Sequence, residues 1–270
     1  MTRSGAQGGQ IIVPDSSVDR PSDLGVRVHT NHLIFWGHGI SPAAATPQGL
    51  TPAQVRSAYG LGSATGAGAI AIVDAYDYPT SLNDFNVFSN QFGLPTEPST
   101  NATSSSNTRF QVVYASGRKP RTDAGWALEA ALDIEWAHAM APNAKIYLVE
   151  AASNSIANLV QAENVAKALV GVKQVSNSWG GGESSTIYSS YDSTFVQSGV
   201  AFFASGGDTG GSKSWPSLSS NVVAVGGTRL NMSGTTYLGE TTWTGSGCGL
   251  SAYEARPSFQ NVVQSLVGHF

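Results

Sequence analysis

Six mostly apolar runs recur along the chain: "AIAIVDAY" (69–76), "RFQVVYA" (109–115), "AKIYLVEA" (144–151), "VKQVSNSW" (172–179), "VAFFASGG" (200–207) and "VVAVGGT" (222–228). Runs of this length suit strands buried on both faces, the environment of a parallel sheet. Between them lie stretches of helical periodicity at 81–92, 122–141, 155–169 and 186–197, and a Thr-Pro helix start opens 51–60. Strands alternating with helices predict an α/β fold with a mostly parallel central sheet and helices on both faces. The chain has 270 residues, so one such domain over 51–270 accounts for it. Residues 1–50 are rich in Gly, Pro and Ser around the single apolar patch "VRVHTNHLIFW" and read as an extended arm laid on the domain surface, or the remnant of a pro-segment.

Several function classes fall away on composition. The net charge is −4, and "GRKPR" (117–121) is the only basic run, so the electrostatic stripe of a nucleic-acid binder is absent. No run approaches the roughly 20 apolar residues of a membrane-spanning helix. Its first residues, "MTRSGAQGGQ", carry no apolar signal core. Cys248 is the one cysteine, which excludes an intrachain disulfide and a multi-cysteine zinc site.

In a parallel sheet, ligands sit beyond the carboxyl ends of the strands, which directs the search to "DAYDYP" (74–79), "NSWGGG" (177–182) and "SGGDTGG" (205–211). The helix "GWALEAALDIEWAHAMAP" (125–142) adds Glu129 and Asp133, at i and i+4 on one face. Two carboxyls in an apolar helix, with Arg121 the nearest cation in sequence, lose solvent together. Their pKa values rise, and sharing one proton becomes favourable, which is general acid–base chemistry suited to acid. A wet stripe of Glu129, Asp133 and Glu135 fits the spacing equally well. Asp208, in a glycine-rich turn after a strand, is by itself most simply a turn former. The backbone of Ser178, Gly180 and Gly181 is suited to pairing with an extended peptide, or to a tight turn.

Asp74 and Asp77 end a strand where a triad aspartate of a subtilisin-type enzyme would lie, but none of the five histidines, His29, His32, His38, His138 and His269, stands in a glycine-flanked turn at a strand end. "HTNH" (29–32) matches a metal-ligand pair only superficially, and the histidines read as structural or surface groups. A nucleophile elbow, a P-loop and a dinucleotide fingerprint are all missing.

Taken in order, "GWALEAALDIEWAHAMAPNAKI", "VSNSWGG", "FFASGGDTGG", "VVAVGGTRL" and "ETTWTGSGCG" resemble the sedolisin (serine-carboxyl peptidase) family over about residues 50–265. The resemblance implies a subtilisin-like fold, an extracellular endopeptidase working on polypeptide substrates in acid, Glu129 as general base, Asp133 as its proton-sharing partner and Asp208 as the acidic oxyanion-hole group. Members of the family carry their nucleophile in a downstream Gly-Thr-Ser motif. Here the Gly-Thr pairs are "GTR" (227–229) and "GTT" (234–236), neither followed by serine. The sequence therefore predicts a chain truncated before its nucleophile and close to inactive alone, prone to aggregate or to take a missing C-terminal segment as partner. The family's calcium loop belongs to that same later part, so no cofactor or metal site is expected within these residues. The reading from a different class is a non-catalytic peptide-binding protein on the same fold.

Overall fold

The computed structural model describes residues 2–4, 10–36 and 49–263. The strands are β1 (Thr2–Ser4), β2 (Gln10–Ile12), β3 (His29–Thr30), β4 (Ile34–Trp36), β5 (Ala69–Ala75), β6 (Phe110–Tyr114), β7 (Lys145–Ala151), β8 (Val172–Asn177), β9 (Trp179–Gly180), β10 (Ala201–Ser205), β11 (Val223–Val225), β12 (Thr228–Ser233) and β13 (Thr236–Thr242). The α-helices are α1 (Pro52–Ala58), α2 (Ser81–Phe92), α3 (Ala124–Met140), α4 (Ile156–Ala166) and α5 (Ser185–Tyr191). All six apolar runs form strands of one sheet, in the order β11-β10-β8-β5-β7-β6, and every neighbouring pair is parallel.

Side-chain alternation along the strands sorts the core into two layers. Ile72, Ile146 and Leu148 point to one face, where they meet Phe85 of α2 and Ala130 and Ile134 of α3. Ala71, Val73, Tyr147 and Val149 point to the other, against Leu159, Ala162 and Ala166 of α4 and the ring cluster of Trp179, Phe195, Phe202 and Trp215. Both faces are therefore buried over the central strands, which is why these runs are apolar at successive rather than alternate positions.

Helix α3 starts where the Asp123 carboxylate accepts the free amides of Gly125 and Trp126. Trp126, Ala130, Ile134 and His138, four residues apart, form its buried stripe. Phe85 packs against the His138 ring, whose Nε2 lies 2.8 Å from the Pro95 carbonyl oxygen. The register that drives this stripe onto the sheet also fixes where Glu129 and Asp133 lie, on the neighbouring stripe near the carboxyl ends of the central strands.

The arm departs from the sequence expectation. Rather than lying on the surface throughout, it enters the fold at residues 26–32, where Val28, Thr30 and His32 are buried. Here β3 pairs antiparallel with β9, His29 opposite Gly180 and Thr30 opposite Trp179. The alternating pattern of "VRVHTNHLIF" is that of a strand, and β9 offered the free edge it needed. His38 and His269 lie outside the described residues.

Ile134 is fully buried between α2 and the sheet, whereas Val87, on the outer side of α2, is 60% exposed. The Ile134→Ala exchange is expected to lower unfolding free energy by about 2–5 kcal/mol, and Val87→Ala by less than about 0.5 kcal/mol. Urea denaturation of both variants checks this, and equal midpoints would contradict the two-layer core.

Candidate active site

At the carboxyl end of the sheet the structure brings together Glu129 and Asp133 from α3, Ser178 between β8 and β9, Asp208 after β10, and His32 from the arm. Glu129 is 3% exposed, and its Oε2 lies 2.7 Å from His32 Nδ1. Asp133 accepts a 2.8 Å hydrogen bond from the Ser178 hydroxyl at Oδ1, while its Oδ2 is buried without a partner. The pair is thus a desolvated site and not a wet stripe.

Burial sets the electrostatics, since among the described residues no lysine or arginine shifts these carboxyls. Desolvation, with the Asp208 charge second, pushes Glu129 up to about 8, against the Asn31 amide and the Ser178 hydroxyl, which favour its ionised form. Asp133 is raised well above the usual carboxylate range by burial and then by Glu129. Asp208 rises to about 6, chiefly through burial, with His32 opposing. His32 is itself lowered by burial, against the pull of Asp208 and Asp133. Near neutrality the Glu129–His32 contact is therefore a neutral pair sharing a proton, and the cluster can hold several protons at once in acid.

Sequence reasoning missed His32. The sequence places it with the other histidines as a structural or surface group, and the structure buries it against Glu129. The signal was the strand-like alternation of "VRVHTNHLIF" inside an otherwise glycine- and serine-rich arm, since such a strand must find an edge. Asp74 is also buried at the site, and neither of its carboxyl oxygens has a hydrogen-bond partner. Burial, then Asp133, Glu129 and Glu150, raise it well above the usual carboxylate range. Asp77 turns away to Lys119 at 3.3 Å and is not part of the cluster.

Ser178, Gly180 and Gly181 form the floor of a trough already filled by the arm. A Cβ at Gly181 would lie 3.1 Å from the Arg27 carbonyl oxygen and 3.3 Å from Val28 Cγ1, so the two backbones approach closely there and a side chain would press them apart by a few tenths of an ångström. Among the described residues no group of three His, Cys, Asp or Glu is placed to hold a metal ion, and no helix is long and apolar enough to cross a membrane.

A six-stranded parallel sheet with helices packed on it, carrying an acid–acid pair at its carboxyl end and a third acid on a glycine-rich turn, is a subtilisin-like α/β fold. The chain is similar to sedolisin from Pseudomonas sp. (strain 101), with 27% identity over 265 residues, 84% of this chain and 43% of that protein. It is also similar in structure to Pseudomonas sedolisin, a serine-carboxyl proteinase solved with two molecules of pseudo-iodotyrostatin. That match has a TM-score of 0.61 and 26% identity, covering 81% of this chain and 67% of the other. No family model matches the chain. In sequence and in fold the chain is similar to sedolisin, and it spans less than half the length of that curated relative.

The pH dependence of stability follows from the raised carboxyls. Glu129, Glu150 and Glu163, each pushed up to about 8 by burial, keep protons in the folded state that an unfolded glutamate releases above about pH 4.3. The folded state then binds more protons, so stability falls as pH rises towards 8. His138, lowered to about 4, acts in the opposite sense, but only below about pH 6.5, where an unfolded imidazole is protonated. Between pH 6.5 and 8 the carboxyls dominate, and the urea midpoint is expected to fall. Glu163→Gln, on α4 across the sheet from α3, should flatten that slope; a midpoint that rises over this range would contradict the assignment.

Proposed function

We propose that these residues form the acid–base half of the catalytic centre of a serine-carboxyl endopeptidase that hydrolyses peptide bonds in acid. The single observation that supports this most is the desolvated Glu129–Asp133 pair beside Asp208, a proton store with no cation to keep it ionised. In this reading Glu129 acts as base in the microstate where the pair's shared proton sits on Asp133: it takes the proton of an attacking serine hydroxyl and returns it to the leaving amine. Asp133 orients Glu129 and shares its proton. Asp208, protonated, donates a hydrogen bond to the oxyanion of the tetrahedral intermediate. The backbone of Ser178, Gly180 and Gly181 binds the polypeptide as an added strand.

The nucleophile comes from outside these residues in this proposal, because the 270 residues contain no Gly-Thr-Ser triplet. Leu128 and Leu132, one turn apart on α3, are 40% and 42% exposed, a surface the remaining sequence of such a protein would cover. The chain alone is expected to be nearly inactive, since loss of the nucleophile of a covalent site typically costs on the order of 10⁶ in kcat. An extracellular location follows from the family resemblance and is part of the same proposal.

The test is peptide hydrolysis by a longer protein carrying this chain together with a Gly-Thr-Ser segment. Activity is expected to be bell-shaped in pH, lost at high pH once Asp208, raised to about 6, has given up its proton and the base is fully ionised, and lost in stronger acid as the Glu129–Asp133 pair becomes doubly protonated. Glu129→Ala should lower kcat by about 10⁴ or more, and Asp208→Ala by about 10²–10³. Peptide binding without turnover in that longer protein would instead establish the non-catalytic reading.

A further inference from the structure

Asp208 stands between two glycine pairs, Gly206-Gly207 and Gly210-Gly211, and backbone so free to move keeps one course only when something lies against it. The segment "WTGSGCGLSAYE" (243–254) lies there. The Gly247 amide donates to the carbonyl of Gly207, the residue before Asp208, at 2.7 Å. A Cβ at Gly206 would stand 2.5 Å from the Gly247 carbonyl oxygen, one at Gly247 would overlap the Gly206 carbonyl, and one at Gly210 would overlap the Thr244 carbonyl oxygen. The two backbones are therefore in contact on either side of Asp208, at a separation that only glycine allows. At its near end the segment is fixed by the Trp243 amide, 3.0 Å from the Gly227 carbonyl, and by Ser246 Oγ, which accepts the Gly227 amide at 2.9 Å.

Its far end is held by one carboxylate. The Glu183 side chain, in the loop that leaves β9, is 9% exposed. Its Oε2 accepts from the Ser251 hydroxyl at 2.7 Å and the Tyr188 hydroxyl at 3.2 Å, while its Oε1 accepts from the Ala252 amide at 3.1 Å and faces Lys213 Nζ at 3.3 Å. Ser251 Oγ in turn accepts the amides of Tyr253 and Glu254, at 3.1 and 2.9 Å. Lys213, two residues beyond the Asp208 turn, also donates to the Leu250 carbonyl at 3.0 Å. Four donors converge on Glu183 and none needs a proton from it, so the group is satisfied as an anion. Burial alone would raise it, but hydrogen bonds from Ser251, Ala252, Lys213 and Tyr188 outweigh that and hold it below the usual glutamate range. It is the converse of Glu129, Asp133 and Asp208: a shielded acid that stays ionised in the acid where they hold protons.

We propose that residues 243–254 are a strap that sets the position of Asp208, and that Glu183, which ties the strap to Lys213 and to the loop after β9, is a positioning residue for that acid. This deepens the peptidase proposal and rests on it for the role of Asp208 as oxyanion donor. Such a donor works only at the right distance from the oxyanion, and a glycine-rich turn has no stiffness of its own to provide it.

The test reads the Asp208 carboxyl itself, by carbon-detected NMR titration of the 270-residue chain, so its failure is separable from failure of the peptidase reading. Asp208 faces Glu129 and His32, and Glu150 on β7, at about 8 and three strands away from β10, is the internal reference. In Glu183→Ala, Asp208 is expected to fall from about 6 to below about 5, towards the ~3.9 of a solvated aspartate, while Glu150 stays in place. Amide exchange at Gly207 and Gly247 should quicken by about tenfold, with β5 unchanged. Gly247→Ala changes no charge, acts at the backbone contact, and should move Asp208 in the same direction. An Asp208 titration unchanged in Gly247→Ala overturns the strap, and one unchanged in Glu183→Ala overturns the role of Glu183. An equal shift of Glu150 marks general loosening and overturns both. Should Glu183→Ala unfold, Ser251→Ala serves instead, removing the strap's hydroxyl from the carboxylate, and unchanged exchange at Gly207 and Gly247 overturns the proposal.

Discussion

Taking a pair of carboxyls out of water without a cation beside them is the constraint on which this structure turns. The cost is met by protonation rather than by ion pairing, so the site exists in its stable form only when protons are available. Everything that keeps Glu129 and Asp133 dry serves that condition. The stripe of Trp126, Ala130, Ile134 and His138 clamps α3 to the sheet, Ser178 satisfies one oxygen of Asp133, and the arm covers Glu129. Asp74 extends the same condition into the sheet, as a buried acid whose oxygens have no partner.

The arm and the carboxyl pair depend on one another. His32 gives Glu129 a neutral hydrogen-bonding partner, and the trough gives the arm the edge of β9 on one side and the backbone of residues 154–156 on the other. Glycine at 181 eases the approach, because any Cβ there would press on the Arg27 carbonyl and on Val28. Stability, site protonation and access to the trough are therefore coupled through a handful of contacts at one end of the sheet, where an α/β fold leaves its strand termini free to carry function.

Much of the fold was legible because its signals are local. Buried parallel strands need long apolar runs, and the six runs became the six strands of the sheet, with helix α2 at its expected bounds of 81–92. The spacing of Glu129 and Asp133 was legible for the same reason, as helical geometry alone puts i and i+4 on one face. Whether that face was wet or dry was not, since burial depends on what packs across it. Asp208 read by itself as a turn former, and only the ordered set of motifs suggested a role for it.

The amino-acid sequence determined the alternation of strands and helices, the paired carboxyls on one helix face and the glycine-rich strand ends, all properties of short stretches with their own periodicity. It left open which edge the arm would take, because β-pairing joins residues distant in sequence: His32 reaches Glu129 across 97 positions, and Asn31 reaches Ser205 across 174. Those contacts arise from the order of strands in the sheet, which no local pattern encodes. They turn a polar, apparently superficial segment into the covering of the site.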